Sequence, residues 1–232
     1  MVQKKQHLVI LVHGYHASHF DMRVYQNFLS KIIPHSIFLI SKANEDMNEK
    51  RIPQMGKDLA DEILKYIDET NVKFSKISFI GHSLGGVLIR TALNHLQKLK
   101  PYFFSFVSLS SPHLGCKQNK SSLVNIGMKY METVQKDKVI SELNMTDHND
   151  PTQTFLYKLA QNDQLNLFNN VILVSSPQDS YVPYTSARIQ PVKPDNDNKM
   201  DNAIFQMAKN IWNRTKNDMI VRIDVDLRSE KK

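Results

Sequence analysis

The chain predicts an α/β architecture with a mainly parallel sheet, and two observations carry that expectation. Strand-like and helical signals alternate along most of the sequence. A glycine-flanked serine, Gly81-His82-Ser83-Leu84-Gly85, sits where a strand-like run gives way to a helical pattern. At 232 residues and 26.8 kDa the chain is long enough to bury a full core as one domain.

The elements follow in order. Residues 7–12 form a compact apolar strand ending in His13-Gly14. Residues 21–33 carry Met22, Tyr25, Phe28, Leu29 and Ile32 at helical spacing, and 36–40 read as a second strand. Residues 54–67 place Met55, Leu59, Ile63, Leu64 and Ile67 on one helical face. The strand 76–80 leads through the serine into a helix from Leu84 to about residue 98, closed off by Pro101. Further strands are expected at 103–109, 170–175 and 219–225, with a helix at 203–213 after a polar loop.

Residues 111–164 lie between two strands and are too long for a simple crossover. They contain helical patterns at 123–136 and 152–160, so a cap of about residues 112–165 is expected over the serine. With no internal repeat or long linker, residues 1–232 are expected to form a single domain.

Composition narrows the function. The net charge is +7, but the lysines are scattered, so a solvated basic surface is favoured over nucleic-acid binding. Weak attraction to anionic membrane surfaces remains compatible with it. No apolar run approaches the ~20 residues that span a bilayer. The lone Cys116 excludes an internal disulfide, and no signal peptide is evident, so a cytoplasmic location is expected.

The serine carries the chemistry. Of seven glycines, Gly81, Gly85 and Gly86 flank Ser83 at a strand-helix junction. This is the pattern of a nucleophile elbow, a sharp turn that lifts a hydroxyl above the sheet. The plain alternative is a tight turn for helix-sheet packing. Acyl transfer also needs donors for the oxyanion. The N–H of Leu84 follows the nucleophile, and the N–H of Tyr15 lies in the loop after the first strand. A triad acid should come next, after a later strand. Asp179 follows 170–175 in the segment Ser176-Pro177-Gln178-Asp179, where the plain reading is a turn residue.

His13 and His82 read as structural. Cys116, Asp147, His148 and Asp150 make a poor metal set, with Asp150 better read as a helix cap. No cofactor or metal is expected. In 123–134 the apolar stripe of Leu123, Ile126, Tyr130, Met131 and Val134 fits a buried cap helix or a lid lined for an acyl chain.

Several blocks carry a family resemblance: residues 7–14, 77–89, Val107 to Gly115, Asp150 to Leu159 and Gln178 to Ile189. They resemble the serine esterase (lipase-like) family, and within it the carboxy-terminal hydrolase domain of the eukaryotic "family with sequence similarity 135" proteins. The likeness covers nearly the whole chain. It implies an α/β-hydrolase fold with helices on both faces of the sheet. It also implies lipase or carboxylesterase chemistry, with Ser83 and Asp179 at the matching positions, acting on an ester or lipid substrate. It does not choose a substrate and leaves the oligomeric state open.

The chain departs from the family at its end. Members continue past the strand matching 219–225 into a loop bearing the catalytic histidine and then a final helix. Here residues 226–232 close the chain, and the last histidine is His148. His113 is a poor substitute. A histidine from beyond Lys232 would complete a hydrolase. Without it, the fold would be an inactive lipid- or protein-binding module.

Overall fold

The computed structural model describes residues 6–47, 49–70, 72–117, 137–195, 197–215 and 219–228. Six strands form one sheet: β1 (Gln6–Val12), β2 (Ser36–Ile40), β3 (Phe74–His82), β4 (Phe103–Leu109), β5 (Asn170–Ser175) and β6 (Ile220–Asp224). Their order is β2-β1-β3-β4-β5-β6. Every pairing is parallel. The α-helices among the described residues are α1 (His19–Ile32), α2 (Ile52–Thr70), α3 (Leu84–Ala92), α4 (Lys138–Leu143), α5 (Phe155–Gln161), α6 (Tyr184–Ala187) and α7 (Lys199–Arg214).

The larger core lies on one face of the sheet. Leu8, Ile10, Ile77, Phe79, Phe106, Val171 and Leu173 point into it from the strands, and α2, α3 and α7 close it from outside. All nine residues of α3 are buried, so this helix runs through the middle of the protein. Phe103 and Phe168 stack at 5.1 Å between ring centroids, and Phe79 meets both edge-on. Such ring pairs add to the apolar area they remove from water.

The opposite face is thinner. Its fully buried core is Val9, Leu11 and Met22, beneath α1. Strand register continues that layer as a row through Leu11, Ile80, Val107, Ile172 and Val221. Exposure rises along it until Val221 is half open to solvent at 50%. Parallel sheets are ordinarily covered on both faces. Here no described helix covers the β6 end of this one.

Some expected elements differ from those observed. The helix after Ser83 stops at Ala92 and continues as 3₁₀ turns at Leu93–His95 and Gln97–Tyr102. The amide of Gln97 donates to the Leu93 carbonyl at 2.7 Å, taking an acceptor that a longer α-helix would use. α7 begins earlier than expected because the Asn198 side chain accepts from the N–H of Met200 at 2.8 Å. In α1 the helix is where the spacing puts it, but Phe28 and Ile32 are 64% and 74% exposed. Of the expected residues Met22 and Leu29, joined by Ile33, make the contact with the sheet.

The expected cap is described only in part. The pattern at 152–160 forms a 3₁₀ turn, Pro151–Gln153, followed by α5. The pattern at 123–136, with its apolar stripe, lies outside the described residues. Among the described residues, no helix is long and apolar enough to cross a membrane.

Candidate active site

β1 lies one strand in from the sheet edge; the chain passes from it outward to β2, then reverses past β1 to β3. Such a reversal leaves a crevice at the carboxyl ends of the two strands, where open α/β sheets bind ligands. The residues that follow β1 and β3 are His13-Gly14-Tyr15 and Ser83.

Ser83 is the sole residue between β3 and α3, with φ 52° and ψ −124°. A serine in that conformation carries strain of about 1–3 kcal/mol, which the surroundings must hold in place. Its N–H donates to the Leu109 carbonyl at 2.9 Å, tying the bend to β4. The flanking glycines allow the bend: a Cβ on Gly85 would lie 2.3 Å from the Val12 carbonyl oxygen, and one on Gly86 would lie 2.2 Å from Ser111 Oγ. A larger residue at either position would push the elbow off the sheet.

Leu84 opens α3, so its N–H is among the first-turn donors that have no partner within the helix. Tyr15 lies across the crevice. Its hydroxyl donates to the Asp137 carboxylate in a short contact. Burial, and then that carboxylate, push the phenol pKa up. Asp137 also caps α4 by accepting from Ile140 N–H at 3.0 Å. The cap segment is thereby fastened to the loop that presents Tyr15. Sequence reasoning missed Asp137; its only signal was an acidic residue just ahead of the short helical run 138–143.

Asp179 lies beyond β5 at the same end of the sheet, half-buried in a tight turn. One carboxylate oxygen accepts from the N–H groups of Tyr181 and Val182 at 2.9 and 3.0 Å. The carboxylate is therefore aimed by its own loop. Its charge is felt at the elbow: burial lowers the pKa of His82, while Asp179 and Asp21 oppose that shift. Asp179 also adds to the burial that raises the Cys116 thiol to about 12, leaving that cysteine protonated and unreactive.

The histidines hold structural positions. His13 is buried and its Nδ1 donates to the Gly14 carbonyl at 3.0 Å. His113 is fully buried, with Nε2 paired to Ser108 Oγ at 2.7 Å. Burial, then the charge of Arg90, hold its pKa well below the usual range. His148 accepts from Asp150 N–H in an exposed loop, and Asp150 caps the following turn. Among the described residues no histidine hydrogen-bonds to Ser83 or Asp179. Beneath the elbow, Arg90 pairs with Asp163 at 2.8 Å, both side chains almost wholly buried. No pattern in the sequence signals that pair, because its members are 73 positions apart.

A strained serine after β3, the loop after β1 and a carboxylate after β5 lie at the carboxyl-terminal end of one parallel sheet. Together they define an α/β-hydrolase fold. The chain belongs to the family described as "Putative serine esterase (DUF676)", which it matches over residues 2–218. It is similar to "Putative lipase ROG1" of Saccharomyces cerevisiae, 31% identical over 140 residues, covering 55% of this chain and 20% of that protein. It is also similar to "Putative lipase YDL109C" of the same yeast, 29% identical over 206 residues, covering 81% of this chain and 31% of that protein. The chain thus spans less than a third of either relative's length.

Among solved structures, an esterase of Pyrococcus furiosus superposes with a TM-score of 0.56 at 16% identity, covering 97% of this chain and 74% of the other. A monoacylglycerol lipase of Paleococcus ferrophilus gives 0.51 at 13% identity, covering 94% and 83%. These likenesses show the fold.

Proposed function

We propose that the protein is a serine hydrolase of the lipase or carboxylesterase type that cleaves an ester, with a lipid acyl ester as substrate. The observation that carries this reading is the strained Ser83 at the β3–α3 bend, at the same end of the sheet as the turn that holds Asp179. Strain of this kind clusters at active sites, where the surrounding structure holds it in place.

In the mechanism, Ser83 Oγ attacks the ester carbonyl as a base takes its proton. The N–H groups of Leu84 and Tyr15 hold the oxyanion of the tetrahedral intermediate. The alcohol leaves with the proton that the base returns to it. Water then hydrolyses the acyl-Ser83 ester by the same route in reverse. Asp179 orients the base and stabilises its charged form. That base is a histidine contributed from outside these 232 residues, as the likeness to the "family with sequence similarity 135" hydrolase domains suggests. The protein works in the cytoplasm or at a membrane surface.

A second reading has one observation in its favour: no described histidine reaches Ser83 or Asp179. In it the fold is catalytically inactive and binds a lipid or protein. Cleavage of a short-chain aryl ester separates the two. The full-length natural protein should turn the ester over and its Ser83→Ala variant should not. Ester binding without turnover by the full-length protein would favour the binding module.

A further inference from the structure

Among the described residues no group accepts from the Tyr15 N–H, although Tyr15 is half-buried. A backbone donor left open in such a loop is free for water or a ligand. Gly14, the residue before it, backs onto the serine: a Cβ there would stand 3.0 Å from Ser83 Cβ. The peptide that carries the open N–H is the one joining Gly14 to Tyr15.

Two sets of contacts fix that peptide. On one side, the Gly14 carbonyl accepts from His13 Nδ1 at 3.0 Å and from the Ala17 N–H at 3.3 Å. A trans peptide is planar, with its N–H opposed to its C=O, so holding the oxygen aims the Tyr15 N–H the other way. On the other side, the Tyr15 hydroxyl donates to Asp137. Asp137 is itself held by capping α4 through the Ile140 N–H at 3.0 Å. The Tyr15 ring also stands edge-on to His16, with centroids 4.2 Å apart. His16 has φ 49°, a left-handed conformation that persists in a non-glycine residue where the surroundings hold it.

We infer that Asp137 is a positioning residue for hydrolysis: by gripping the Tyr15 hydroxyl it fixes the direction of the Tyr15 N–H, and so the hydrogen bond that this N–H gives the oxyanion. This role rests on the hydrolase reading above and extends it, because it gives the segment carrying α4 a part in transition-state stabilisation. Asp137 acts through a side chain 122 positions away, whose phenol stays protonated because burial and the carboxylate both raise its pKa. Negative charge develops on the carbonyl oxygen as the tetrahedral intermediate forms, so a well-aimed donor favours that state over bound substrate. Loosening the donor should therefore lower kcat and leave KM nearly unchanged.

Two variants separate the grip from the cap. Tyr15→Phe removes the hydroxyl and keeps the backbone N–H. Asp137→Ser keeps a cap for α4, because serine is a good N-cap, but is too short to reach Tyr15. The test is hydrolysis of a short-chain aryl ester by the full-length natural protein, together with inhibition by an alkyl trifluoromethyl ketone, whose adduct with the serine places an oxyanion in the same position. Each variant should lower kcat by about ten- to hundredfold, less than the ~10²–10³-fold that loss of a whole donor brings. The ketone's Ki should rise by the same factor, as for a transition-state analogue, while KM stays within about twofold. The double variant should be no slower than either single one, because both remove one contact. Variants that keep kcat, or that lose kcat with Ki unchanged, would reduce the contact to a structural tie and overturn the assignment while the hydrolase reading stands. An inactive parent would overturn that reading, and the assignment with it.

Discussion

Gly14 lies directly behind Ser83: a Cβ built on Gly14 would stand 3.0 Å from Ser83 Cβ and 3.2 Å from the His82 carbonyl oxygen. The loop that presents Tyr15 and the bend that presents Ser83 therefore touch with no room for one methyl group. Gly14→Ala should force them apart by a few tenths of an ångström. A misplacement of about 1 Å in a reacting site can cost about 10²-fold in rate. We expect kcat of the full-length protein to fall several-fold and by no more than about that factor, with thermal stability much less affected; an unchanged kcat would mean that the spacing of the two loops is unimportant.

Asp179 is aimed by two N–H groups of its own turn, and Asp179→Asn keeps an acceptor for them. If it orients the catalytic base, its loss should lower kcat by about 10⁴-fold. Unfolding by urea should shift little. A variant as active as the parent would return Asp179 to the role of a turn residue.

Arg90 and Asp163 form an ion pair with side-chain exposures of 1% and 0% beneath the elbow helix. Asp163→Ala would leave a buried guanidinium without its partner. Such losses cost about 3–5 kcal/mol. Replacing both with apolar residues of similar size should cost clearly less, which chemical denaturation of the single and double variants would reveal.

His113 predicts an acid limb in stability. Its pKa in the folded protein lies well below the ordinary value, so below about pH 6.5 the unfolded chain takes up a proton that the folded one does not. The stability it contributes is present above that pH and is lost as the pH falls toward the folded value. The slope should approach about 1.4 kcal/mol per pH unit. His7 and His82 are also lowered and add smaller amounts in the same window. Urea unfolding between pH 5 and 7 should show a shallower slope for His113→Asn than for the parent.

Much of this architecture was legible in the sequence where the signal is local. β2, β4 and β5 form at the expected residues because each is a short apolar run closed by turn-forming residues. The bend at Ser83 was legible because three glycines flank one serine, and the crowding around Gly85 and Gly86 shows why nothing larger fits. What the sequence hid depends on packing between distant segments. The spacing of Tyr25, Phe28 and Ile32 marks a helix, but only the sheet decides that Met22 and Leu29 turn inward. The grip of Asp137 on Tyr15 spans 122 positions and leaves no pattern to read.

The central claim is that Ser83 is an activated nucleophile, and a fluorophosphonate probe tests it most directly. In the full-length protein the probe should form one adduct, mapped by mass spectrometry to the peptide containing Ser83, and Ser83→Ala should abolish it. Labelling at another residue, or equal labelling of both proteins, would contradict the account.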